Sequence, residues 1–107
     1  MENEPPAYTV KFSPFTQEFL DSLTSKEQAF IARQIQYLQQ FGPALGLPHA
    51  KHIEGKVWEL RIRCKRKIFR LFYTIDENRQ ANIHYGFHKT SDQIPKQIRK
   101  LALQTKK

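Results

Sequence analysis

Arg61, Arg63 and Arg70, the run Lys65-Arg66-Lys67, and the trio His84, His88 and Lys89 are the side chains of this sequence best suited to binding and cleaving a phosphodiester. Arg61 and Arg63 alternate with apolar residues in 57–64, and Arg70 does the same in 68–75. Only Lys65-Arg66 and the residues beside it separate the two runs, so a tight hairpin must join them. The register that buries one continuous apolar face sets Ile62 against Phe69, Leu60 against Leu71 and Trp58 against Tyr73. It also sets Arg61 directly opposite Arg70, with Arg63 one pleat away. Like charges facing each other across strands cost roughly several tenths of a kcal/mol. An anion held between the guanidinium forks turns that repulsion into bidentate phosphate recognition. The alternative is that each arginine pairs with Glu59 or with solvent.

Histidine near its ordinary pKa is a common proton carrier, and a cluster of cations lowers that pKa. By strand parity His84 and His88 are expected on the same polar face as the arginines, and either is a candidate for moving protons in RNA cleavage. Residues four apart on a strand are separated by about 13 Å, too far to share a metal ion. His49 and His52 have a possible ligand spacing, but no cysteine or acid cluster accompanies them. No metal site or cofactor is expected, and no role falls to His49 or His52.

The elements that must position these groups read as follows. Residues 1–6 form a disordered leader, and 7–107 one domain. Tyr8, Val10 and Phe12 alternate as in a half-buried strand. Ser13-Pro14 begins a helix with Phe15, Phe19 and Leu23 on one face. Thr24 with Glu27 makes a capping box for a second helix, in which Phe30, Ile31, Gln34, Ile35, Leu38 and Phe41 recur at helical spacing until Gly42-Pro43 stops it. Residues 43–56 read as an ordered loop. Strands over 57–64, 68–75 and 83–88 follow, the last with Ile83, Tyr85 and Phe87 inward. Ser91 or Asp92 is expected to cap a final helix aligning Ile94, Ile98 and Leu101. The predicted fold is α+β, β-α-α-β-β-β-α, an antiparallel sheet packed by an N-terminal helical hairpin and a C-terminal helix.

Composition narrows the partner. The 107 residues carry a formal charge of +8, but residues 1–50 hold three bases and five acids, whereas 51–107 hold fifteen bases and five acids. A domain with a net of +10 in one half is suited to a polyanion, whose condensed counterions are released on binding. An acidic protein would satisfy the same charge. The apolar content of 39% supports a packed core. A single cysteine, Cys64, fits a reducing compartment. No apolar run approaches a membrane span, and the acidic start is no signal peptide, so a cytoplasmic location is expected.

Three stretches carry a family resemblance. Leu47 to Arg61, with Pro48, Lys51 and Trp58-Glu59-Leu60-Arg61, resembles the signature of the RelE/ParE toxin superfamily, in particular its phage-related HigB-like branch. Phe69-Arg70-Leu71-Phe72-Tyr73 resembles that branch's "Y-R-x-x-Y" strand. His84 to Thr90, followed by Pro95 and Ile98, resembles its "H-G-F-x-K-K…P-x-x-E-I" ending. Two departures stand out: His88 lies between Gly86-Phe87 and the lysine, and Gln97 replaces a frequent glutamate. The resemblance implies a microbial-RNase-like fold and a toxin neutralised by a cognate antitoxin, expected to be of helix-turn-helix type. It further implies ribosome-dependent cleavage of messenger RNA without metal or cofactor. Arg61, Arg63, Arg70 and Lys89 fall at the basic active-site positions, and Lys51, Lys65, Arg66 and Lys67 are expected to bind RNA. A gyrase-inhibiting toxin of the same superfamily, or a non-toxic basic nucleic-acid-binding module, are the competing expectations. Arg61→Ala and Arg70→Ala are both expected to abolish activity and leave the core intact.

Overall fold

The structure, a computed structural model, describes residues 7–89 and 93–105. The predicted leader and the capping choice between Ser91 and Asp92 lie outside the described residues. The elements run β1 (Thr9–Phe12), α1 (Pro14–Asp21), α2 (Ser25–Phe41), a short 3₁₀ turn (Gly42–Ala44), β2 (Ala50–Glu54), β3 (Val57–Cys64), β4 (Lys67–Ile75), β5 (Gln80–His88) and α3 (Lys96–Thr105). They form a mixed α+β fold around one five-stranded sheet of order β1-β5-β4-β3-β2.

Both N-terminal helices start as the sequence predicts. The Ser13 side chain accepts from the Thr16 amide with Pro14 in the first turn. Thr24 and Glu27 exchange side-chain-to-backbone bonds of 3.0 and 3.1 Å, a complete capping box. The hairpin of α1 and α2 covers one sheet face, where Ile31, Ile35 and Leu38 pack with Leu60, Ile62, Phe69, Leu71, Tyr73 and Ile83. On the opposite face α3 lays Ile98 and Ala102 against Val57 and Phe72. Only part of that second face is covered, because beyond Val57 the outward residues of β3 are Glu59, Arg61 and Arg63.

The β3–β4 pairing matches expectation residue for residue: Trp58 with Tyr73, Leu60 with Leu71, Arg61 with Arg70, Ile62 with Phe69. Three features differ from the prediction. Residues 50–54 are a strand, not loop; β2 pairs antiparallel with β3, and a bulge between His52 and Glu54 breaks the alternation by which it would be recognised. β1 runs parallel to β5, so the sheet is mixed rather than antiparallel; alternation reports a buried face but not strand direction. The register of β5 against β4 shifts between Phe72 and Tyr73, which pair with Tyr85 and Ile83 and leave His84 as the extra residue. That single insertion reverses parity along the rest of β5. Tyr85 and Phe87 therefore face α3, while Gly86 and His88 face the helical hairpin.

Gly86 shows what the shift achieves. A Cβ there would stand 2.5 Å from the Phe19 ring and 2.9 Å from Leu71, so only glycine lets α1 rest on this strand. Gly86→Ala is expected to cost about 1–3 kcal/mol through overpacking. Gly46→Ala, where nothing lies within 4 Å, should be no less stable than the parent. Urea denaturation of both variants checks the difference.

Candidate functional site

At the centre of the sheet face that α3 only partly covers, a carboxylate lies between two guanidinium groups. Glu59 is 3% exposed and Arg70 6% exposed. Arg70 Nε donates to Glu59 Oε2, and Arg61 Nε stands 3.4 Å from Glu59 Oε1. Arg70 also donates through Nη1 to the Gln93 carbonyl, 3.1 Å away, and its guanidinium lies 5.0 Å from the Phe72 ring centroid. The facing arginines are thus joined through Glu59, the pairing weighed as the alternative to an anion. The two differ in availability: Arg70 is buried and engaged by Glu59, Gln93 and Phe72, whereas the Arg61 side chain is about one-third exposed.

Two clefts flank this pair. The first, about 380 Å³, is lined by Gln34, Pro48, His49, Arg61, Arg63 and Ile68. It opens where β2 begins: the last bond on this edge runs from the Arg61 amide to the His49 carbonyl, 2.8 Å, leaving β3 uncovered past Arg61. His49 Nδ1 is 3.2 Å from Gln34 Oε1 and its ring packs 5.4 Å from Tyr37. Paired with an amide oxygen, which only accepts, Nδ1 is the donor, and Nε2 is the ring nitrogen left for another partner. The second cleft, about 260 Å³, is lined by Arg70, Phe87, His88, Lys89, Lys96 and the segment around Ile94.

The expected histidines are distributed differently from the prediction. His88 pairs across Phe69 with the rings 5.6 Å apart, on the hairpin face, and meets the second cleft only from the end of β5. His84 stays on the arginine face but its Nε2 lies 2.9 Å from Thr74 Oγ1. Thr74 is four residues along β4 from Arg70, a separation of about 13 Å. Burial lowers the His84 pKa below the usual imidazole value. The shared face expected of the two histidines fails because strand parity cannot anticipate the inserted residue. His49, to which the sequence assigned no role, is the histidine that shares a cleft with Arg61 and Arg63. Its signal was present: it stands one residue before β2, in the stretch whose alternation the bulge obscured.

The basic residues also separate. Lys51 is exposed on β2 directly opposite Glu59. Lys65 and Arg66 form the exposed tip of the β3–β4 hairpin. Lys67 donates from Nζ to Glu27 Oε2 at 2.8 Å, which raises its own pKa and lowers that of Glu27, so it ties the tip to α2. Among the described residues no three His, Cys, Asp or Glu side chains converge in a metal-binding group, and no helix is long and apolar enough to cross a membrane.

Residues 18–107 match the family model described as "Phage derived protein Gp49-like (DUF891)". The chain belongs to the Gp49-like family. None of the curated proteins matches it in sequence. Its fold is shared with solved toxin–antitoxin complexes at low identity. The archaeal RelE–RelB complex from Pyrococcus horikoshii OT3 superposes with a TM-score of 0.62 at 17% identity, over 78% of this chain and 97% of that one. The Escherichia coli RelBE complex gives 0.61 at 10% identity, over 79% and 100%. RelBE2 of Mycobacterium tuberculosis gives 0.57 at 22%, over 78% and 99%. The RelE-like fold that the three motifs implied is thereby borne out.

In this Gp49-like chain the arginines do not contribute equally to folding, which corrects the expectation that Arg70→Ala spares the core. Truncating Arg70 leaves Glu59 buried with one distant partner and is expected to cost about 3–5 kcal/mol. Arg63→Ala, on an exposed side chain, should stay within about 0.5 kcal/mol; chemical denaturation distinguishes them. His84 gives a pH signature. Its folded pKa lies below the unfolded value near 6.5, so the unfolded chain binds more protons as pH falls through that region. Stability therefore drops on going from pH 7 to 5, and His84→Gln is expected to flatten the dependence of melting temperature over that interval.

Proposed function

We propose that this Gp49-like chain is the toxin of a type II toxin–antitoxin system and acts as a metal-independent endoribonuclease on messenger RNA at the ribosome. The observation that carries the reading is the Glu59-bridged pair Arg61–Arg70 with His49 and Arg63 in the adjoining cleft. It sits on a fold shared with RelE proteins crystallised as toxin–antitoxin complexes. Placement in the HigB-like branch, an antitoxin of helix-turn-helix type and a cytoplasmic location belong to the same proposal. They rest on the sequence signatures and on the charge distribution.

The chemistry follows from the groups present. The ribose 2′-oxygen attacks the adjacent phosphorus in line with the P–O5′ bond, so a 2′-O–P bond forms as P–O5′ breaks. His49 Nε2 takes the 2′-hydroxyl proton, and Gln34 holds the ring in the tautomer that can do so. Negative charge grows on the non-bridging oxygens, where Arg61 and Arg63 supply exposed donors. Arg70 acts as a positioning residue through Glu59. The departing 5′-oxygen takes its proton from solvent, because His88 and Lys89 line the other cleft, beyond the Glu59–Arg70 pair. Lys51, Lys65 and Arg66 remain exposed to contact RNA phosphates. The products are a 2′,3′-cyclic phosphate and a 5′-hydroxyl.

Cleavage should therefore continue in excess chelator and leave cyclic or 3′-phosphate ends. Products with 3′-hydroxyl ends, or activity restored by a divalent ion, would remove the mechanism. His49→Ala is expected to lower the rate by about 10²–10⁴-fold, while His84→Ala keeps the parent rate. A growth defect without message cleavage, accompanied by gyrase inhibition, would replace the nuclease with the ParE-like alternative. Ribosome association should also weaken steeply between about 50 and 200 mM salt, as counterion release requires; sedimentation at graded ionic strength measures it.

A further inference from the structure

Beside the second cleft an aromatic row leads away from the arginines. Phe87, which lines that cleft together with Arg70, Lys89 and Lys96, is followed by Tyr85 at 6.0 Å between ring centroids and 16° between planes. Tyr85 is followed by Phe15 at 5.4 Å and 27°. Phe72 closes the inner end, edge-on to Phe87 at 6.0 Å. The row runs from the core to solvent: Phe72 is fully buried, Phe87 and Tyr85 are half-buried, and Phe15 is 63% exposed. The row requires the β5 bulge, which turns Tyr85 and Phe87 onto the same face as Arg70, and it requires α1. The first turn of α1 is pinned to β5 by Ser13 Oγ donating to the His84 carbonyl at 2.6 Å and Thr16 Oγ1 to the Ile83 carbonyl at 2.9 Å.

We propose that the row Phe87–Tyr85–Phe15, through its exposed outer end at Phe15, is a stacking platform for the bases of single-stranded RNA whose backbone passes Lys89 and Lys96 at the second cleft. The inference rests on the RNA reading above and adds a binding track to it. Phe15 stacks on Tyr85 and is nonetheless 63% exposed, so much of its ring remains in solvent. Cations border the other end of the row. Single-stranded nucleic acid combines those two requirements, since each nucleotide brings a phosphate and a flat ring together. An apolar protein surface laid on the same row would have to bury the neighbouring lysines.

The test separates stacking from charge and binding from cleavage. Fluorescence anisotropy with 2′-O-methyl oligoadenylate, which lacks the attacking hydroxyl, reads binding alone. Phe15→Leu keeps the bulk of an exposed side chain and removes the π-face. It is expected to weaken the oligonucleotide by roughly 5- to 100-fold, leave heparin binding unchanged, and be rescued by Phe15→Tyr. Phe30→Leu, an exposed aromatic (38%) outside the row, should behave as the parent. In the parent protein, 2-aminopurine placed along the oligomer should be quenched at successive positions. Parent-like affinity in Phe15→Leu, or no quenching, overturns the platform and assigns the row to another kind of partner. Failure of the parent to bind any oligonucleotide would instead bring down the RNA reading and the platform with it.

Discussion

A carboxylate sealed between two guanidinium groups is the interaction on which the rest of the site depends. The β3–β4 register is dictated by Leu60, Ile62, Phe69 and Leu71, and a slip of one residue would turn that apolar set outward. With the register fixed, Arg61 and Arg70 have no freedom to avoid each other. Glu59, two residues before Arg61 on the same face, offsets the repulsion that the core imposes. A buried ion pair of this kind is weak as a source of net stability, because desolvating its charges costs about as much as their attraction returns. Its clearer consequence is positional. Arg70 is held by Glu59, by the Gln93 carbonyl and by the Phe72 ring, and Arg61 is drawn toward the same carboxylate with part of its fork in solvent.

What keeps this face usable is the incomplete coverage around it. α3 spends Ile98 and Ala102 on Val57 and Phe72 and leaves the Arg61–Arg63 end of β3 open. The Arg61 amide makes the last bond on this edge, to the His49 carbonyl, so β3 past Arg61 is free of a neighbouring strand among the described residues. Edges of this sort invite unwanted pairing, and clustered charge is a common protection against it. In this fold one feature meets both demands, since the same arginines that discourage strand addition are those that can hold phosphate.

How much of this was legible in the sequence depended on whether the signal was local. The capping box at Thr24 and Glu27, the start at Ser13-Pro14 and the Arg61–Arg70 juxtaposition all followed from residue type, strict alternation and a two-residue turn. The two bulges did not. Each inserts one residue whose effect is felt only through the partner strand, so the parity of β5 and the existence of β2 were misread for the same physical reason. The consequence for function was specific: parity placed His88 beside the arginines, and the loop reading of 43–56 hid His49. The burial of Arg70 was also beyond sequence patterning, because it requires the segment at Gln93 to fold back over the sheet.

The remaining link is between the helical hairpin and the site, and it runs through α2. Glu27 completes the cap of that helix through Oε1, and its other oxygen receives Lys67 from the β3–β4 hairpin. Seven residues on, about two helical turns, Gln34 returns to the same side of the helix and meets His49. One rigid element therefore fixes both the hairpin that presents the arginines and the imidazole that shares their cleft. The hairpin's apolar contacts with the sheet set the height of α2, and the two polar contacts set its position along the strands. Packing in the core and geometry at the site are in this way linked, because the helix that buries Ile31, Ile35 and Leu38 also carries Glu27 and Gln34 to their partners Lys67 and His49.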